Sequence, residues 1–416
     1  MTPRPMTTRR RALLAAGGVG LGGLLTGVPT GAAAAAVGSV RLQWQRLPDV
    51  PANRTDWSDQ IPVGEAYWHQ LGLAGPIAGA HGDLLIVAGG ANFPEPGRTA
   101  NRQPALGKVY WDDAFVLRRR GETYEWLDVG DRLGDAVAYS ACLSTERGVL
   151  VIGGEGFRGG PNGTAVKPLE KFADVFYLRY DGGLTREDLP PLPRPLSYGA
   201  ATRVGDTVYV AEGGSFFGLD LTRTSDGWAE LESWPGDPRT VAVAASDGRR
   251  FYLLSGRAQR ADRSWQFYTD AYAYDPGRRH WTRIADLPWC ITAGLATGDT
   301  SGLVAYTGDR DFDRWTRIQE VGAWRDEAPA GSQEWARRND VLSWIQDHHT
   351  GFNTDVLGYD PRRDRWSVVG SFPGPPQVTT PAVTWGGDTV IVSGEIRPGV
   401  RTPTIWRVTG TPAPSA

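Results

Sequence analysis

Apolar residues along this chain come in short runs rich in Val, Leu, Ile, Ala and Tyr, and each run is stopped by glycine. The run L-L-I-V-A-G-G-A-N (Leu84 to Asn92) recurs as V-L-V-I-G-G-E (Val149 to Glu155) and T-V-Y-V-A-E-G-G-S (Thr207 to Ser215). Weaker copies end at Arg257, Asp309 and Glu395. Runs this short, rich in β-formers and bounded by glycine, predict strands rather than helices. An Ala/Val-rich strand precedes each run, as at Val241 to Ala245. After most of them a strand closes on Tyr-Asp, at Asp181, Asp275 and Asp360. A strand then carries Trp and ends in Leu-Pro or Phe-Pro, as at Trp281 to Pro288 and Trp366 to Pro373; Trp126 and Trp228 hold similar places.

Four short strands per unit, repeating roughly every 50 residues, predict an all-β fold, a six-bladed β-propeller of the kelch type. The glycines end the second strand where backbone crowds the central channel, and Tyr and Trp pack between blades. The last unit has strands near Pro381, Val390 and Ile405 but no fourth, whereas L-Q-W-Q-R-L-P (Leu42 to Pro48) is a fourth-strand phrase standing alone. The N-terminal strand is therefore expected to complete the C-terminal blade and leave no free edge. The propeller is expected to span 40–410, with an insertion at about 310–350 on the fifth blade, partly helical over Gln333 to Ile345, and a tail at 411–416.

Composition supports this reading. With 416 residues the chain exceeds one ordinary core, so it is two domains or one repeat-built one. High glycine (54) and tryptophan (17) favour β-structure. Residues 1–36 read as a twin-arginine signal peptide: Arg9-Arg10-Arg11, a weakly apolar Gly/Ala/Leu stretch, then Ala32 to Ala36 with A-x-A cleavage choices. The expected location is secreted or cell-envelope. Loss of this segment removes four arginines and no acids, taking the formal charge from -3 to about -7. That balance argues against a nucleic-acid partner. No later segment is apolar enough for stable membrane insertion as a helix. Cys142 and Cys290 sit in apolar runs and read as buried free thiols. His348-His349 lacks a third ligand at a telling spacing, so no metal is expected, and no cofactor motif is present.

Loops that follow equivalent strands of a propeller reach the same mouth of its channel. The residues ending the six glycine phrases, Ala91, Glu155, Ser215, Arg257, Asp309 and Glu395, are thus predicted to converge. Any one charge could be a solvated rim residue; four on one small axis point to a ligand. Glu395 stands out within V-S-G-E-I-R-P-G-V-R-T (Val392 to Thr402). Burial at a strand end would raise its carboxyl pKa and Arg397 or Arg401 would lower it, a balance suited to proton transfer. Guanidiniums also bind a carboxylate ligand through paired N–H groups. The alternative is a structural salt bridge from Glu395 to either arginine.

These phrases resemble the bacterial N-acetylneuraminate (sialic acid) mutarotase family, also called N-acetylneuraminate epimerases, in its cyclically permuted branch. G-E-I-R-P-G-V-R-T (Gly394 to Thr402) is similar to the family's G-E-x-x-P-G-x-R-T signature, and G-L-A-G-P-I-A-G (Gly72 to Gly79) to its G-x-A-G-x-x-A-G phrase. A-G-G-A-N-F (Ala88 to Phe93) and V-I-G-G-E (Val151 to Glu155) match as well. In better-known members the signature blade precedes the G-x-A-G blade; here it comes last, which a closed ring tolerates. The resemblance implies that Glu395 is the proton acceptor and Arg401 its partner at the substrate. Arg397, Glu155, Arg257, Asp309 and Asn92 are the expected substrate contacts. The implied activity is a cofactor-independent isomerase that interconverts α- and β-N-acetylneuraminate, or a related sugar acid, by ring opening and closure. The alternative is a secreted, non-catalytic propeller that binds glycans or proteins.

Overall fold

The computed structural model describes residues 42–54, 72–93, 108–161 and 168–410. The expected signal segment and the C-terminal tail lie outside these residues. The described residues form six four-stranded antiparallel sheets, spanning 77–126, 141–189, 200–231, 243–284, 292–371 and 382–409. They are called blades 1 to 6 in that order. The innermost strand of each blade lies beside that of the next, and the innermost strand of blade 6 returns to that of blade 1. The sheets therefore close into a six-bladed propeller.

The ring is sealed as the sequence predicts. Gln43–Leu47 pairs antiparallel with Ile405–Thr409, from Gln43 opposite Thr409 to Leu47 opposite Ile405, and forms the outer strand of blade 6. The first described strand thus supplies the last blade's missing edge.

Each second strand reads as an unbroken apolar run because both of its faces are buried. Side chains alternate across a strand. In blade 1, Leu85 and Val87 pack toward blade 6, while Leu84, Ile86 and Ala88 pack toward blade 2. In blade 2, Val149 and Val151 face blade 1 and Leu150 and Ile152 face blade 3. The core is accordingly a set of wedges between neighbouring blades. The repeated tryptophans stitch these wedges. The indole N–H groups of Trp126, Trp228, Trp281 and Trp366 donate to the carbonyls of Asp49, Pro190, Glu232 and Ala285, at 2.9 to 3.0 Å. Each of those carbonyls follows the outer strand of the preceding blade, so a buried polar atom is satisfied and two blades are joined at once. Cys142 and Cys290 are free and buried, as expected.

The insertion on blade 5 is more helical than its sequence suggested. It forms two helices, α1 (Phe312–Asp326) and α2 (Gln333–Asp347), capped by the side chains of Asp311 and Ser332. α2 covers the predicted segment, whereas α1 was not foreseen.

Candidate functional site

The site has a floor made by the starts of the six inner strands. Gly75, Tyr139, Tyr198, Val241, Ala293 and Thr379 occupy equivalent places, and all have positive φ, between 49° and 62°. Backbone hydrogen bonds join them around the axis: Gly75 N to Thr379 O, Tyr139 N to Gly75 O, Tyr198 N to Tyr139 O, Ala293 N to Val241 O and Thr379 N to Ala293 O, at 2.6 to 2.9 Å. The five non-glycine members hold left-handed backbone at a cost of roughly 1–3 kcal/mol each, and such strain tends to gather at functional sites. Gly75 has no substitute, since a Cβ there would lie 2.3 Å from the Tyr139 ring. Past this girdle, a cavity of about 380 Å³ runs between the inner strands.

The walls rise where the chain continues beyond the glycine phrases. Five blades add short hairpins or helices there: Ala91–Asn92 with Val109–Tyr110, Glu155–Phe157 with Glu170–Lys171, Arg257–Gln259 with Trp265–Phe267, the α1–α2 pair, and Glu395–Arg397 with Val400–Arg401. Blade 3 adds none. Glu212 pairs with Ser215 across a tight Gly213-Gly214 turn, so Ser215 begins a strand instead of standing on a mouth loop.

Blade 6 and blade 1 meet through the two phrases that the sequence singled out. Gly394 N donates to Leu73 O at 2.8 Å, and Leu73 N donates to Ser393 Oγ at 2.7 Å. A Cβ on Gly72 would fall 2.3 Å from the Thr402 carbonyl. The G-L-A-G phrase is thus the bed on which the G-E-I-R-P-G-V-R-T hairpin lies, although the two stand at opposite ends of the sequence. In that hairpin Glu395 is directly opposite Arg401. Glu395 Oε1 accepts the Gly399 N–H at 2.8 Å and lies 3.5 Å from Arg401 Nη1. The Arg401 side chain is 4% exposed and that of Glu395 is 20% exposed, so the carboxylate is the accessible end of the pair. The Arg401 guanidinium also lies over Phe93, 4.9 Å from the ring centre.

Arg257 and Asp309 form the second half of the site. The Arg257 guanidinium stacks on Trp315 of α1, 3.6 Å from the ring centre, with Trp265 and Phe267 each 5.8 Å away. Its buried Nε meets no hydrogen-bond partner among the described residues. Burial among these rings pushes the guanidinium down to about 10, against the opposing charges of Asp309 and Glu395, so it stays cationic at neutral pH. Asp309 is 7% exposed and accepts the Asp311 N–H at 3.1 Å. Burial pushes its carboxyl up to about 6; the Asp311 N–H and Arg257 pull it down, while Asp311 and Glu395 push it up. A cation without a salt bridge among the described residues, a carboxyl pushed up to about 6, and an accessible carboxylate beside an arginine thus share one mouth.

Glu155 has a different role. Its Oε1 accepts the hydroxyls of Tyr110 (2.8 Å) and Tyr198 (3.4 Å), and its Oε2 that of Ser197 (2.9 Å). Three donors aimed at one carboxyl make it an acceptor and not a proton donor. Burial holds the Tyr110 and Tyr198 hydroxyls far above the usual tyrosine range, so both remain donors. Tyr198 stacks on Tyr139, with ring centres 4.3 Å apart.

Two expected contacts are engaged elsewhere. Asn92 is 1% exposed, its Nδ2 donating to Gly72 O and its Oδ1 accepting from Trp111 Nε1, so it fixes the wall. Arg397 Nη1 donates to Asp347 O at 2.8 Å and ties the hairpin to the end of α2. Residues that sequence reasoning missed include Tyr110, Ser197, Tyr198, Trp315 and Glu212. Burial pushes the Glu212 carboxyl up to about 8, against a Thr240 hydrogen bond and the charge of Lys171. Superposing the inner-strand starts A-Y-S-A (138–141) and S-Y-G-A (197–200) would have exposed the tyrosine pair. Among the described residues no three His, Cys, Asp or Glu side chains converge as a metal site.

Residues 189–413 match the family model of N-acetylneuraminate epimerase. N-acetylneuraminate epimerase of Brucella melitensis is 31% identical over 231 residues, covering 53% of this chain and 58% of that protein. The Yersinia enterocolitica protein of the same name is 30% identical, covering 53% and 57%, and that of Haemophilus influenzae 29%, covering 51% and 57%. A solved structure titled "Structure of YjhT" is 22% identical, with a TM-score of 0.44 over 55% of this chain and 68% of that one. The chain spans between half and three fifths of the length of the curated relatives it matches.

Proposed function

The chain belongs to the N-acetylneuraminate epimerase family, and on that premise we propose that it is a mutarotase interconverting the α and β anomers of N-acetylneuraminate or a closely related sugar acid. The observation that carries this reading is the meeting of Arg257, cationic and without a salt bridge among the described residues, with Asp309, a carboxyl pushed up by burial, both within electrostatic reach of Glu395. Arg257 and Arg401 hold the sugar's carboxylate. Glu395 takes the proton of the anomeric hydroxyl, and its electron pair becomes the carbonyl of the open chain. The bond from the anomeric carbon to the ring oxygen breaks, and Asp309 gives its proton to that oxygen. The carbonyl carbon turns its other face. The hydroxyl then re-adds while Asp309 recovers its proton and Glu395 returns the one it took. No atom is gained or lost, so the reaction needs no co-reactant.

Magnitude favours this chemistry. Mutarotation already proceeds in water, and a positioned acid–base pair contributes about 10²- to 10⁴-fold, enough for a useful enzyme. A match confined to the later blades accords with a permuted order in which the signature blade comes last. The reading is tested by following anomer exchange by proton NMR with purified protein. Acceleration that depends on Glu395 supports it; exchange at the uncatalysed rate rejects it. Export by the twin-arginine route is part of the proposal and rests on Arg9-Arg10-Arg11. Replacing Arg9 and Arg10 by Lys is expected to trap the protein inside the cell on fractionation, and unchanged export would refute that route.

A further inference from the structure

The helical insertion ends in His348-His349, next to the hairpin that carries Glu395. Two bonds tie this corner down. Arg397 of the hairpin donates to Asp347 O, and Arg314 of α1 donates to His348 O, both at 2.8 Å. The ring of His349, a residue 8% exposed, packs against Phe352 with centres 5.5 Å apart. Its Nδ1 accepts the Gly351 N–H at 3.0 Å. An imidazole that accepts at Nδ1 carries its hydrogen on Nε2 when neutral. Nε2 makes no hydrogen bond to a described residue.

The charged groups around the ring are Arg314 and Asp311 at the start of α1 and Glu395 and Arg397 on the blade 6 hairpin. Burial, reinforced by Arg314, pushes the imidazole down to about 4 even though Asp311 and Glu395 oppose it. The ring therefore remains a neutral donor throughout the range in which Asp309 titrates. Neutrality matters chemically, because an imidazolium here would pair with Glu395 and weaken it as a base.

We propose that His349 presents its Nε2–H to the anomeric oxygen of the sugar, on the side of the site where Glu395 removes the proton. This rests on the mutarotase reading and adds a residue to it. As Glu395 takes the proton, negative charge builds on the anomeric oxygen before the carbonyl is complete. A fixed donor aimed at that oxygen stabilises the transition state more than the bound sugar, and removing one such donor typically costs about 10²- to 10³-fold in kcat. The insertion then has a catalytic purpose: it carries a donor that blade 6 itself does not supply.

The test compares His349→Leu and His349→Gln with the full wild-type chain. His349→Leu is expected to lower kcat about 100-fold with KM changed less than about twofold. His349→Gln, which keeps an N–H near the same place, is expected to recover about tenfold of that loss. A side chain that only holds the loop would shift KM as well and would not be rescued by Gln. In parallel, ¹⁵N NMR of the wild-type imidazole should show the Nε2–H form from about pH 5 upward, and saturating N-acetylneuraminate should move the Nε2 resonance. An unmoved resonance, or a kcat within twofold of wild type in His349→Leu, overturns the proposal. If His349→Leu does not fold, the NMR measurement decides. Wild-type protein without any exchange activity overturns the mutarotase reading and this inference together; active wild type with an equally active Leu variant overturns the inference alone.

Discussion

Asp309 offers the sharpest quantitative prediction. Its carboxyl moves from an ordinary value of 3.8 to about 6 because burial disfavours the charge. That is about two pKa units, or roughly 3 kcal/mol between the two protonation states. Two consequences have opposite readouts. For catalysis, the acid that protonates the ring oxygen is about nine-tenths present at pH 5, one-tenth at pH 7 and one-hundredth at pH 8. Enzyme-dependent exchange, after subtraction of the spontaneous rate, should fall about tenfold per pH unit above pH 6. For stability, the native state binds the extra proton between pH 3.8 and 6, so stability is full below this window and declines as pH rises through it. Asp309→Asn removes the ionisable group. It should lose about 10²- to 10⁴-fold of the rate and its alkaline limb. Its stability relative to wild type should rise by about 2.5 kcal/mol between pH 4 and pH 7.5. Anomer exchange by NMR and urea unfolding at the two pH values measure both. A variant with the wild-type alkaline limb would refute Asp309 as the donor. A relative stability that does not change with pH would refute the burial assigned to it.

Glu395→Gln should abolish anomer exchange while calorimetry still detects sugar binding at near wild-type affinity; full activity in that variant would sink the mechanism. Arg257→Met, which keeps the aromatic bed filled, should weaken binding of N-acetylneuraminate by about 10- to 100-fold, the range for a charge-assisted hydrogen-bonded contact. Binding of its methyl ester should change little. Arg401→Ala should discriminate in the same direction, and equal loss for both sugars in either variant would argue against carboxylate recognition.

Much of the fold was readable because its signals are local and repeated. Leu84 to Ala88 and Val149 to Ile152 read as apolar runs for the same reason, burial on both faces between neighbouring blades. The solitary Trp44 phrase found its place because blade 6 lacked a strand. Helix α1 was missed because its buried stripe is only Ile318 and Val321, interrupted by Gly322 in an otherwise polar segment. Blade 3 misled for a register reason: its paired glycines look like those of blade 2 but form a two-residue turn, which places Ser215 in a strand and leaves Glu212, half-buried, as that blade's carboxyl beside the turn. At the site, Glu395, Arg257 and Asp309 were legible because each ends an equivalent glycine phrase, and Arg401 because it stands in the G-E-I-R-P-G-V-R-T phrase with Glu395. The partners that give them their chemistry were not. Trp315 under Arg257 comes from an insertion, and the Tyr110 and Tyr198 hydroxyls on Glu155 come from other blades. Such contacts are set by closure of the ring and leave no spacing in the sequence.

The most direct test of the central claim is the decay of freshly released α-N-acetylneuraminate followed by proton NMR at pH 6, with and without purified protein and with Glu395→Gln as control. Faster approach to the equilibrium mixture with wild type, and the uncatalysed rate with Glu395→Gln, is the predicted result. The uncatalysed rate with both proteins, at concentrations where the sugar is bound, would contradict the claim and leave a propeller that binds sugar acids without turning them over.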